Sequence, residues 1–275
     1  IIYLFILYYQ FLPYGYHARI GIPKARFLMK AEGGMSRIIG GSQVSDATII
    51  PYQAGIVVTL MSGWTSVCGG ALVSRTRVLT AAHCWYDGQN QARQFTIVLG
   101  SVTLFTGGTR IITSDVTLHP SWNTNDITND LAVVRISSVN YDNKIQAIPL
   151  PSIADVNEIF AGMTATASGY GKTSDAQNSF PTTTALHRVT LNIISNTECQ
   201  TSFEVPIRLS HLCTSGQGNV GTCDGDSGGP LVAVWNRNSV LVGIVSFGLG
   251  DACQSGYPSV YTRVTTFLPW IQAQL

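Results

Sequence analysis

The chain has 275 residues, a formal charge of +1 and only 11% charged side chains against 45% apolar ones. That balance excludes a disordered chain, which needs low hydrophobicity and a high net charge. It also leaves no basic surplus for gripping nucleic acid. The six cysteines fit three disulfides of an extracellular protein better than buried thiols or ligands, with the pairing left open by counting alone. No Cys/His spacing resembles a zinc site, so neither a catalytic metal nor a cofactor is expected.

In chain order, Ile1 to Pro13 are almost wholly apolar and aromatic. The run is shorter than the roughly 20 residues a membrane span needs and fits the apolar part of a secretory signal. Tyr14 to Arg37 read as a basic pro-segment: Arg19, Lys24, Arg26, Lys30 and Arg37 stand against Glu32. Residues 1–37 therefore carry +4, and residues 38–275 carry −3. The second portion has two lysines, Lys144 and Lys172, against nine arginines. Arginine keeps its charge far into alkali, which suggests an alkaline gut fluid, with compositional drift as the equal alternative. Short runs such as 94–99, 165–168 and 239–245, bounded by Gly, Asn and Pro, predict many antiparallel strands and an all-β chain. Apolar residues at helical spacing over Val264–Ile271 predict a short C-terminal helix on the second half of the molecule, with Pro269 in its first turn.

Gly225-Asp226-Ser227-Gly228-Gly229-Pro230 places one serine among glycines beside a carboxylate. A serine hydroxyl needs a base to take its proton and donors to hold the oxyanion that follows. Glycines let a substrate carbonyl approach backbone N–H groups closely; the competing reading is a plain surface turn. Of the five histidines only His83 has a distinctive setting, Leu79-Thr80-Ala81-Ala82-His83-Cys84, after the strand-like Ala71-Leu72-Val73. His119 precedes Pro120 and starts a loop. His187 and His211 read as surface or half-buried residues, and His17 lies in the pro-segment. Asp130 opens the apolar run Leu131-Ala132-Val133-Val134, where a carboxylate is costly unless hydrogen-bonded. Its rival Asp126 is followed by Ile127-Thr128-Asn129 and reads as solvated loop.

With these motifs in hand, residues 38–275 resemble the chymotrypsin-like serine endopeptidases, in particular insect digestive chymotrypsins. The resemblance rests on Thr80–Cys84, Asp130-Leu131-Ala132 and Gly225–Pro230 in the order His, Asp, Ser. It also rests on Arg37-Ile38-Ile39-Gly40-Gly41, on Val245-Ser246-Phe247-Gly248 and on Tyr257–Tyr261. It implies two six-stranded antiparallel β-barrels packed face to face with a short C-terminal α-helix. The barrels would span about 38–145 and 160–262, the helix about 265–275, with 1–37 as signal remnant and activation pro-segment. His83, Asp130 and Ser227 would be catalytic, with the oxyanion hole made by Gly225 and Ser227. Cleavage after Arg37 by a trypsin-like protease would free the Ile38 amine to pair with Asp226. Ser246, Phe247 and Gly248 would hold substrate, and the disulfides would be Cys68–Cys84, Cys199–Cys213 and Cys223–Cys253.

The family's pocket floor falls on Gly221, followed by Thr222, with walls at Gly248 and Ser259. An uncharged, open slot predicts a chymotrypsin-like preference for large apolar or aromatic residues before the scissile bond. The alternatives are a broad elastase- or collagenase-like protease and an inert binding homologue. Asp224 at the rim is expected to repel acidic neighbours in the substrate, and the loop 249–253 reads one residue long. The partners implied are polypeptide substrates, the activating protease and protein protease inhibitors, with no nucleic acid and no membrane in the mature form. The mature enzyme would be a monomer, secreted, possibly into a gut lumen.

Overall fold

Strict alternation shapes β10 (His187–Ile194), whose odd positions are buried while Arg188, Thr190 and Asn192 face solvent. A period of two with one wet face is what an antiparallel strand over a core requires. The computed structural model describes residues 14–31, 42–46, 49–172, 185–249 and 253–275. Within them the first half forms one antiparallel sheet. It holds β2 (Gln53–Leu60), β3 (Thr65–Ser74), β4 (Arg77–Thr80), β5 (Ala92–Leu99), β6 (Thr109–Thr113), β7 (Val116–Leu118) and β8 (Ala132–Arg135). Their order is β6-β5-β2-β3-β4-β8-β7. The second half holds β9 (Thr164–Gly169), β11 (His211–Thr214), β12 (Pro230–Trp235), β13 (Asn238–Phe247) and β14 (Ser259–Arg263), joined by β10. It closes on itself because β9 pairs with both β12 and β10, and the short β1 (Ser42–Gln43) adds to the outside of β10. The all-β architecture is therefore one closed six-stranded barrel and one open, barrel-like sheet.

The runs 94–99, 165–168 and 239–245 fall inside β5, β9 and β13. Strand β13 is buried on both faces beyond its first two residues. Leu241 and Ile244 join the core of the first sheet, while Val240, Val242 and Val245 join that of the closed barrel. This shared wall fixes the two halves against each other and sets the cleft between them.

The C-terminal helix forms as predicted in kind, a single 3₁₀ turn over Val264–Phe267 leading into a helix at Leu268–Gln272. Its packing differs from the expectation. Phe267, Leu268 and Ile271 sink into the core of the first sheet, and Arg77 Nε donates to the Gln274 carbonyl at 2.6 Å. His187 and His211 also differ from the expectation: both are buried, at 1% and 2% exposure.

Residues 14–31 fold rather than trail. A π-helical turn, His17–Gly21, runs into α1 (Ile22–Ala31), which lies against β3. Among the described residues no helix is long and apolar enough to cross a membrane.

Candidate active site

Three loops at the cleft supply the expected residues. His83 lies in the 3₁₀ turn Ala82–Cys84 that follows β4, Asp130 lies two residues before β8, and Ser227 lies in the loop before β12. Asp130 is 1% exposed. Its Oδ1 accepts from the His83 backbone N–H at 2.9 Å, and its Oδ2 faces His83 Nδ1 at 2.8 Å. Ser246 Oγ also donates to Oδ2, at 2.6 Å, and Thr262 Oγ1 donates to the Asp130 carbonyl at 2.7 Å. The β13–β14 ladder shifts register between Val245 and Phe247, so a bulge falls on Ser246 and aims its hydroxyl at the carboxylate. A carboxylate only accepts hydrogen bonds, so His83 Nδ1 carries the shared proton, and in the neutral ring Nε2 then offers its lone pair. Nε2 is buried and has no hydrogen-bond partner among the described residues.

Asp126 is the contrast. Its side chain is 37% exposed and meets Arg208 at 3.4 Å. Ile127 beside it is fully buried, against the expectation of solvated loop, and sits at φ +53, as Asn129 sits at φ +59. A β-branched residue at positive φ is strained, and this strain lies next to the carboxylate at the histidine.

The nucleophile loop is tied to both halves. Gly69 N on β3 donates to the Ser227 carbonyl at 2.7 Å, and Gly228 N donates to Val245 at 2.8 Å. Cys223–Asp226 closes as a turn, with Asp226 N donating to the Cys223 carbonyl at 3.0 Å and Gly225 at φ +95. A residue with a Cβ is strained there, so the turn demands glycine. Asp226 is buried, and accepts from Gly171 N at 2.8 Å and Cys223 N at 3.0 Å. Burial pushes its carboxyl up to about 6, more than those two donors and the Lys24 charge pull it back.

Two residues that the sequence reading passed over complete the site. Tyr16, 2% exposed, sets its ring edge-on to His83, with centroids 4.8 Å apart. Its hydroxyl donates to the Val67 carbonyl at 2.7 Å and lies beside the Ser227 side chain. Lys24, also 2% exposed, runs beside Gly225, where a Cβ would lie 3.3 Å from its Cγ and Cε. Its charge is felt at Asp226, and burial pulls the ammonium down to about 8. Neither residue belongs to an apolar run or a catalytic motif, so the only available signal was a lone tyrosine and lysine in a basic segment.

Gly221 lies against Ser259, whose Oγ accepts from Thr222 N at 3.2 Å. A Cβ on Gly248 would meet nothing within 4 Å, so that wall is open. Phe247 packs edge-on against Phe203 and His211 and serves the core. Asp224 is not the bare rim charge expected: Lys172 Nζ lies 2.5 Å away, with the two side chains 22% and 10% exposed. Disulfides join Cys68–Cys84, Cys199–Cys213 and Cys223–Cys253. Cys68, His83 and Cys84 bring metal-ligating atoms within 4.8 Å, but both sulfurs are spent in the disulfide and offer no thiolate. Arg37 and Ile38 lie outside the described residues, as do residues 250–252 of the pocket loop and residues 1–13.

A closed antiparallel barrel facing a second β-sheet across a His-Asp-Ser cleft defines a serine protease of the trypsin type. The chain belongs to that family, whose model, described as Trypsin, matches residues 38–271. It is 34% identical to a collagenase of Hypoderma lineatum, over 86% of each chain. It is 36% identical to a chymotrypsin of Phaedon cochleariae, over 86% of this chain and 81% of that one. It is also 36% identical to brachyurin of Leptuca pugilator, over 82% of this chain and 92% of that one. Among solved structures it matches one titled HL collagenase with a TM-score of 0.77 and 33% identity, covering 86% of this chain and 98% of that one.

Proposed function

We propose that the chain is the precursor of a secreted serine endopeptidase, activated by cleavage after Arg37 and selective for large apolar side chains before the scissile bond. Ser227 attacks the carbonyl, and His83 takes its proton at Nε2 and returns it to the leaving amine. Asp130, oriented by Ser246, holds the Nδ1–H tautomer and stabilises the imidazolium. The N–H groups of Gly225 and Ser227 stabilise the oxyanion. The freed Ile38 amine pairs with Asp226, which draws that turn into its working shape. Gly221, Thr222, Gly248 and Ser259 line the uncharged slot.

The observation that carries this reading is the Asp130–His83 pair, bound through both carboxylate oxygens, which leaves Nε2 as a free acceptor in the cleft that also holds Ser227. Labelling of Ser227 by a serine-directed phosphonate after cleavage at Arg37 tests the chemistry, and a folded chain, cleaved and separated from residues 1–37, that never labels defeats it. Profiling on a peptide library tests the slot, and a strong preference for Lys or Arg would reject the assignment of Gly221 as its floor. A broader, collagenase-like selectivity is favoured by two observations. The Gly248 wall is unobstructed, and relatives named collagenase and brachyurin align over most of the chain.

A further inference from the structure

The segment over the cleft is built for its place. Along Tyr14–Ala31 the buried positions are Gly15, Tyr16, His17, Gly21, Lys24, Ala25 and Leu28, while Arg19, Pro23, Arg26, Met29 and Lys30 face solvent. From His17 onward that spacing is one stripe of a helix. Each buried residue has a matching feature on the body. Asp87, itself fully buried, takes the Gly15 N–H on its carbonyl at 3.1 Å and the His17 N–H on Oδ2 at 2.8 Å. His17 Nδ1 meets Ser66 Oγ at 2.8 Å. Gly21 passes so close to β3 that a Cβ would fall 1.8 Å from Ser66 Oγ. Ala25 and Leu28 complete an apolar cluster with Val67, Leu104, Tyr170 and Leu186. The Arg26 guanidinium lies 4.0 Å over the Trp64 ring.

Charge is matched as well. Residues 14–31 carry four basic side chains and no acid, whereas residues 38–275 carry −3. The seat is also the candidate catalytic cleft: the Tyr16 ring stands edge-on to His83, which is 0% exposed and whose Nε2 has no partner among the described residues, and the Tyr16 hydroxyl lies beside the Ser227 side chain. A substrate carbonyl needs the space that the tyrosine fills.

We infer that the body carries a specific binding site for its own Tyr14–Ala31 segment, and that a basic helical peptide of this sequence, attached or free, occludes the cleft in competition with polypeptide substrate. The six cysteines pair with one another within the body, so after a cut at Arg37 no disulfide among them holds the segment and its affinity decides how long the enzyme stays closed. The inference rests on the protease reading for its consequence, but the seat itself is contact geometry.

The test uses the full chain with a cut that spares the segment. Gly33→Asp, Gly34→Asp, Met35→Asp, Ser36→Asp and Arg37→Lys together create a site for a protease that reads four aspartates and a lysine, and all five positions lie outside the described residues. Mass spectrometry first verifies the cut before Ile38. Phosphonate labelling and peptide hydrolysis are then followed across a dilution series. Specific activity is expected to rise on dilution as the segment leaves, and synthetic peptide 14–31 is expected to restore the block. A Tyr16→Ala peptide should be weaker by at least about tenfold, and added salt should weaken both. Specific activity unchanged by dilution and by peptide overturns the inference while leaving the protease reading intact. If nothing labels even after the released segment has been separated from the body, the protease reading fails instead. The anisotropy of a fluorescent 14–31 peptide on the cleaved chain, with unlabelled peptide as competitor, then decides the seat alone: saturable binding supports it and its absence overturns it.

Discussion

The two buried carboxylates of the cleft are finished to different degrees. Asp130 receives its donors from His83 and Ser246, all within the body of the enzyme. Among the described residues, Asp226 accepts from the backbone N–H groups of Gly171 and Cys223 in the body, and Lys24 on the segment is a nearby cation. The half of the site that holds the base thus has its partners within residues 38–275, and the half that holds the nucleophile has Lys24 of the segment beside it. Control over such an enzyme is most easily exerted at the second half. A buried carboxylate is costly unless hydrogen-bonded or paired, so a nearby cation favours its charged form.

The strongest way to break this comparison is at the atoms that react. Ser227→Ala should abolish phosphonate labelling and lower hydrolysis by about 10⁴–10⁶-fold, with unchanged circular dichroism. Asp130→Asn should lower kcat by about 10⁴-fold in the cleaved enzyme, because an amide no longer enforces the Nδ1–H tautomer. Asp226→Asn should cost about 10²–10³-fold, the scale of a lost oxyanion donor, since it disturbs the turn and spares the base. Equal losses for Asp130→Asn and Asp226→Asn, both with intact labelling, would erase the distinction between the halves.

The pH response sharpens the comparison. Lys24 falls from 10.5 to about 8 when buried, so between those values the free segment holds a proton that the seated one lacks. Seating releases that proton, and affinity should therefore rise with pH across this window, by up to about tenfold per unit. The charged groups acting on Lys24 there are Asp226, Lys172 and Asp224. Lys24→Met should flatten the slope, as read by titrating fluorescent peptide 14–31 at a series of pH values. The smallest effect belongs to the rejected carboxylate: Asp126→Ala breaks an exposed pair with Arg208 and should shift stability by about 0–1 kcal/mol in thermal unfolding, with no effect on labelling.

Much of the site was legible because its chemistry is local. Glycines flank Ser227 within one short turn, and Asp130 opens an apolar strand where an unpaired charge would be intolerable. Where the readings went astray, the missing fact was a neighbour distant in sequence. Asp224 reads as a bare rim charge until Lys172, 52 residues away, folds against it. His187 and His211 read as surface residues until β10 and β11 turn them inward.

Residues 14–31 are the clearest case. The stripe they bury contains a histidine, a glycine and a lysine besides Ala25 and Leu28, so it carries no apolar period to notice. Sequence alone determined the all-β class and the chain order of the motif residues His83, Asp130 and Ser227, since each depends on residue type, short-range pattern or alignment to a motif. Tertiary structure alone decided that the basic segment 14–31 packs against His83 and Gly225. Burying Tyr16 and Lys24 is tolerable only where the Val67 carbonyl, Ser227 and Asp226 converge from separate strands and loops to meet them.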